Sequence, residues 1–213
     1  MRVELQKKLD EIIKDTINPI LKSLMFKKRA RNFYCLRQHY GICFNIQSSL
    51  YNSQEEIRFT FNVGIFIPPA YEVFYGPPLP VFPKEYDCLV RNRIGCLMNG
   101  KDKWYSLTDC SSIEVTKNEI HSDLNNYFIP FIKDIGTAKD VIEREVFKLR
   151  KNPNSGDGVY RLQVATAAIK VGGIEDGVKI IKREYANSDN DSFKKLTRNI
   201  AEKLGVELIV EGA

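Results

Sequence analysis

A chain of 213 residues is long enough for one sizeable hydrophobic core, or one core with an appendage. Its apolar (43%), charged (28%) and aromatic (11%) fractions exclude disordered, collagen-like and coiled-coil classes. A net charge of +5 permits an anionic partner without requiring one, so where the cations sit matters more than their total.

The N-terminal stretch MRVELQKKLDEIIKD carries charges every few residues, and no run approaches the ~18 apolar residues of a membrane span. Secretion by a standard signal and membrane insertion are not expected. Five cysteines, odd in number and thinly spread, fit reduced thiols and a cytoplasmic setting.

Leu5, Leu9, Ile12, Ile13, Ile17, Ile20, Leu21 and Leu24 recur at helical spacing, which predicts a helix over 3–24. Pro19 is expected to bend or restart it, with Asn18 as the cap of the second piece. Phe33–Leu36 and Ile42–Gln47 alternate around a turn at Gln38–Gly41, which predicts a hairpin. Ile57, Phe59, Phe61, Val63, Ile65 and Ile67 fall on every second position, the pattern of a strand with one buried face.

Pro68, Pro69, Pro77, Pro78, Pro80 and Pro83 then predict a long aromatic-rich loop holding Tyr71, Phe74, Tyr75 and Phe82. Cys88–Leu97 and Trp104–Thr108 resume strand character around Asn99-Gly100. Helices follow to the end. Thr116 with Glu119, and Thr137 with Asp140, have capping-box spacing, and Gly172-Gly173 and Gly205 mark helix ends.

One helix, about five clustered antiparallel strands and a run of paired antiparallel helices define an α+β fold. The expected division is an α+β domain over 1–136 and a helical C-terminal segment over 137–213 packed on it. The stretches LKSLMFKKRARNFY (21–34), FNIQSS (44–49), FTFNVGIF (59–66), CLVRNRIGCL (88–97), KWYSL (103–107) and YFIPFI (127–132) resemble DUF4304, a bacterial and phage-borne family of domains of unknown function. Met25 stands where such proteins tend to have a glycine in the helix-ending turn, and Tyr105 where they tend to have a second tryptophan. The resemblance implies the α+β fold and transfers no catalytic residue.

Candidate sites come from charge and aromatic placement. Lys27, Lys28, Arg29, Arg31 and Arg37, within a Lys22–Arg37 stretch that lacks acids, form a candidate polyanion-binding surface. The bland alternative is that cations gather at a helix C-terminus because they favour its unpaired carbonyls. Arg91 and Arg93, two apart on a strand, point to one face, and with Arg58 and Trp104 they make a candidate anion or ligand pocket. Tyr71, Phe74, Tyr75 and Phe82 form a candidate partner loop.

With His39 and His121 the sole histidines, a Ser-His-Asp or Cys-His set has few ways to assemble. The cysteine spacing fits no zinc knuckle, and Gly172–Gly177 lacks the strand and Lys-Ser/Thr of a phosphate cradle. No catalytic residue, metal or cofactor is expected. The favoured expectation is a non-enzymatic domain that binds another protein, in a setting such as immunity or phage defence. The alternative is a nucleic-acid-binding accessory protein that uses the basic Lys22–Arg37 stretch.

Overall fold

The computed structural model describes residues 2–208. In chain order its first elements are α1 (Arg2–Ile12), α2 (Asn18–Ser23), β1 (Lys27–Arg29), β2 (Asn32–Leu36), β3 (Gly41–Ser48), β4 (Glu56–Phe66) and α3 (Pro68–Tyr75). There follow β5 (Val90–Arg93), α4 (Ile94–Met98), β6 (Tyr105–Thr108), α5 (Ile113–Asp123) and α6 (Ile129–Lys133). The chain closes with α7 (Ala138–Lys151), α8 (Gly158–Val171), α9 (Ile174–Ala186) and α10 (Asp191–Leu204). It divides into two compact units: one holds the residues up to Arg37 with Gly41–Phe66 and Phe82–Asp134, the other Gln38–Tyr40, Ile67–Val81 and the residues from Ile135 on.

The first unit is an antiparallel sheet of six strands in the order β1-β2-β3-β4-β5, with β6 also on β4. Because β4 is 11 residues long, β5 pairs with Asn62–Ile65 and β6 with Glu56–Phe59. Ile57, Phe59, Phe61, Val63 and Ile65 are all buried, as the alternation along β4 predicts, but the strand does not have a single buried face: Thr60, Asn62, Gly64 and Phe66 on its other side are covered too. Phe44 on β3 lies against Phe61 (5.2 Å between ring centroids) and, across the helical layer, against Phe128 (5.1 Å). Leu5, Leu9, Ile12, Ile17 and Leu21 bury the opposing helical face.

Proline is accommodated in this layer by widening rather than breaking helices. Ile13–Ile17 and Leu124–Phe128 are π-helical turns, each ending two residues before a proline, Pro19 and Pro130. A proline ring collides with the carbonyl four residues earlier, and a wider turn moves that carbonyl away. Asn18 is therefore not a cap: its backbone is helical (φ −57°, ψ −47°) and its buried Oδ1 has no partner.

Four other expectations are corrected. Cys88–Leu97, expected as strand, is strand only in β5, and α4 takes its second half. Pro68 and Pro69 end β4 but open α3, because the first helical turn needs no proline N–H, so the stretch expected as loop begins as a helix. Ser112, accepting from the Val115 N–H, caps α5, while Thr116 lies inside it and bonds its hydroxyl back to the Ser112 carbonyl (3.2 Å). Of the early basic run only Lys22 sits in the last turn of α2; Lys27–Arg29 form β1, the extra strand of the sheet. Between them Met25 takes φ 68°, the left-handed conformation that favours glycine.

Thr137 and Asp140 do form the expected reciprocal capping box, at the start of α7. In the second unit α7, α8, α9 and α10 pack in succession, and α3 packs on α8 and α10. Gly172 (φ 114°) and Gly205 (φ 67°) end α8 and α10 in the left-handed conformation. Lys203 Nζ donates to the Val73 carbonyl of α3 (2.7 Å).

At the helix-facing end of the sheet, buried Asp123 accepts hydrogen bonds from the Tyr105 hydroxyl (2.6 Å) and from Lys103 Nζ. Burial first, and then the Asp123 hydrogen bond and charge, push the Tyr105 phenol far up. A phenol whose folded pKa exceeds its unfolded value lends stability below the unfolded pKa and loses it as pH rises. Unfolding free energy is expected to fall with rising pH from about 10 upward, and Tyr105→Phe to flatten that limb; pH-dependent urea titrations check it, and an unchanged alkaline slope in the variant would contradict it.

Candidate functional site

The sheet has a second face, and on it the register aligns residues that are scattered in the sequence. Directly paired residues of an antiparallel ladder point to the same side. Arg29 pairs with Asn32, Asn32 with Asn45, Asn45 with Asn62, and Asn62 with Arg93. One row therefore crosses five strands, roughly 19 Å over four strand spacings, with three asparagines between two arginines.

The amides are bonded to one another. Asn62 Nδ2 donates to Asn45 Oδ1 (3.2 Å) and to Gln47 Oε1 (2.8 Å), and Asn45 Nδ2 donates to Asn32 Oδ1 (2.9 Å). Each amide carries two donor hydrogens and a carbonyl with two lone pairs, so the row keeps unused capacity, notably the Asn32 N–H groups beside Arg29 and the Asn62 carbonyl beside Arg93. Asn62 is 7% exposed and forms the floor; Asn32, Asn45 and Gln47 are half-buried. Thr60, next along β4 on the same face, donates to the Lys103 carbonyl (2.7 Å) and anchors the segment that carries Trp104.

An arginine stacked on an aromatic ring stands at each end. The Arg29 guanidinium lies over Phe82 (5.2 Å to the centroid), and those of Arg93 (5.4 Å) and Arg58 (5.9 Å) lie over Trp104. Arg93 also pairs with Asp102, which accepts from Trp104 Nε1 (2.9 Å). Arg91 forks onto Glu85 (2.6 and 3.2 Å), whose hydrogen bond raises the guanidinium pKa further.

The segment from Phe82 to Cys88 covers the other half of this face. Phe82 packs on Tyr34 (5.9 Å), and the space a Cβ on Gly64 would need is occupied by Cys88 Sγ at 2.6 Å. Cys43 and Cys88 donate to the Pro83 and Lys84 carbonyls (both 3.4 Å). Burial, reinforced by the neighbouring thiols, pushes the Tyr34 phenol up to about 12.

The candidate clusters thus meet in part. Lys27 and Arg29 share the polar face with Arg58, Arg91 and Arg93, so two groups far apart in sequence flank one row. Lys28 points to the opposite side, over Phe33 (5.7 Å). Arg31 donates to Ser48 and lies 3.9 Å from Asp10, and Arg37 follows the end of β2. Among the described residues, Lys27, Lys28, Arg29 and Arg58 have no carboxylate within ion-pair distance. Lysines on a short edge strand also block edge-to-edge pairing, so Lys27 and Lys28 have a structural use as well.

Tyr71 and Tyr75 pack on each other in α3 (4.6 Å) with Phe74 beside Tyr75, whereas Phe82 belongs to the other unit. Cys35 is buried, its thiol pKa raised by that burial, and it donates to the Leu24 carbonyl (3.5 Å), which is poor preparation for a nucleophile. The amide row itself escapes sequence reasoning: Asn45 and Gln47 alternate with core residues, as does Asn62, but only the strand register shows that they are neighbours.

Among the described residues no helix is long and apolar enough to cross a membrane. No curated protein and no solved structure matches the chain. Residues 17–134, more than half of the chain and all of β1 to β6, match the family described as domain of unknown function DUF4304. The chain belongs to the DUF4304 family, and the arginine-flanked amide row lies wholly inside the part that defines it.

Proposed function

We propose that this protein is a non-enzymatic nucleic-acid-binding domain that holds its ligand on the polar face of the sheet. The observation that carries the reading is the Arg29–Asn32–Asn45–Asn62–Arg93 row, with Arg58 and Lys27 beside it. Arginines without carboxylate partners, such as Arg29 and Arg58, supply phosphate neutralisation, and the amides supply donors and acceptors that can meet base edges. The five free cysteines suit the cytoplasm, bacterial on this reading, as its place of work.

Salt dependence tests it. Binding of a labelled oligonucleotide, followed by fluorescence anisotropy, is expected to weaken steeply between about 50 and 200 mM salt. In the double variant Arg29→Gln/Arg58→Gln the log–log slope should shrink by about 1 per lost phosphate contact. A flat salt response would remove the proposal.

A second reading, binding to another protein in an immunity or phage-defence setting, has a separate observation behind it. Leu50 (94% exposed) and Tyr51 (90%) stand at the tip of the β3–β4 connection, where no folding requirement explains two large apolar side chains. Loss of a stoichiometric co-purifying protein on Leu50→Ser/Tyr51→Ser is the outcome that would favour it.

A further inference from the structure

The geometry of the same face points to a narrower ligand, an inference that rests on the nucleic-acid reading above. We infer that it takes an unpaired strand laid across the β-strands from Arg29 to Arg93, and discriminates against a duplex. The central amides are the floor of the site, not its rim: Asn62 is nearly inaccessible, and Asn45 and Gln47 are half-buried beside it. The aromatic side chains Phe82 and Trp104, with the arginines over them, stand at the two ends.

A duplex presents a convex wall of phosphates with its base edges recessed in grooves, and a flat sheet with a sunken amide floor cannot enter either groove. It would touch the arginines and leave the amides unused. An unpaired base is a thin plate with its hydrogen-bonding edge exposed, which can reach the floor while its phosphates lie against Arg29 over Phe82 at one end and Arg58 over Trp104 at the other. The direction of the amide chain adds polarity. Asn62 donates towards Asn45 and Asn45 towards Asn32, so spare N–H donors lie at the Arg29 end and a spare carbonyl acceptor at the Arg93 end. Acceptor-rich base edges fit the first end and amino-bearing edges the second.

The experiment uses the full chain and a labelled mixed-sequence DNA strand of about 12 nucleotides, alone and annealed to its complement. The single strand is expected to bind at least about 10-fold more tightly than the duplex. Asn45→Ala should weaken single-strand binding by about 5-fold or more and leave the residual duplex binding unchanged, because only base contacts are lost. Asn32→Ala, nearer the sheet edge and less demanding of the fold, should act in the same direction. Equal or tighter binding of the duplex, or amide variants that hold the single strand like the unmodified chain, would overturn the inference and leave nucleic-acid binding standing. Failure of both probes to bind at low salt would remove both.

Discussion

Truncation of Phe44 to alanine is expected to cost about 3–5 kcal/mol of folding free energy, a large share of the ~5–15 kcal/mol that holds a typical domain together. Phe44 is fully buried at the centre of the layer between sheet and helices. Its ring meets Phe61 in β4, Phe33 in β2 edge-on at 6.0 Å and Phe128 in the π-helical turn, so its loss opens a cavity bounded by three elements. Phe61, held by Phe59 and Tyr105, and Phe128, held by Phe26, cannot collapse into that space without leaving their rotamers. Urea unfolding followed by the fluorescence of Trp104, the only tryptophan, reads the change directly. Phe44→Leu, which keeps most of the volume, should lose clearly less. Equal losses for the two variants would mean that the ring contacts, and not the cavity volume, set the cost.

Glu184→Ala is expected to be of similar size, about 3–5 kcal/mol, for an electrostatic reason. The carboxylate is 6% exposed and accepts from Arg161 Nε (2.9 Å) and Arg183 Nη2 (2.8 Å), with further contacts from Arg161 Nη2 (2.9 Å) and Arg183 Nε (3.2 Å). Removing it leaves two guanidiniums facing each other in a partly dehydrated site, where an unpaired charge costs more than the pair contributed. Arg161 also donates to the Gly156 carbonyl (2.7 Å), so it ties the turn before α8 to α9 and cannot simply swing away. Thermal or urea unfolding followed by far-UV circular dichroism checks this. Glu184→Gln, which keeps two acceptor lone pairs and loses the charge, should fall between the parent and the alanine variant. A loss below about 1 kcal/mol for Glu184→Ala would place the cluster among ordinary surface pairs.

What could be read ahead of the structure follows from the physical reach of each signal. Alternation from Ile57 to Ile65 located β4 and one of its covered faces, because side-chain direction in a strand reverses at every residue whatever its neighbours are. The Thr137/Asp140 box located the start of α7, because both of its hydrogen bonds close within four residues. Errors came where one residue type serves two local outcomes. Pro68-Pro69 stops a strand and also starts a helix, and Thr116 offers a cap hydroxyl that in the fold bonds back to Ser112. Pro19 should bend or restart a helix, but Ile13–Ile17 absorbs it in a wider turn, and nothing in residue spacing announces a π-helical turn.

By itself the chain determined its α+β class, the inward faces of its main helices and strands, and the presence of two separated cationic groups, all properties set by periodicities of two and about 3.6 residues. Tertiary structure decided where those groups lie relative to one another. Backbone pairing between strands distant in sequence put Arg29, Asn32, Asn45, Asn62 and Arg93 in line, and a shift of one residue in any one of those pairings would turn that strand's members to the opposite face. Register is the sum of many weak side-chain preferences across the sheet, and so the amide row exists only once the whole core has packed.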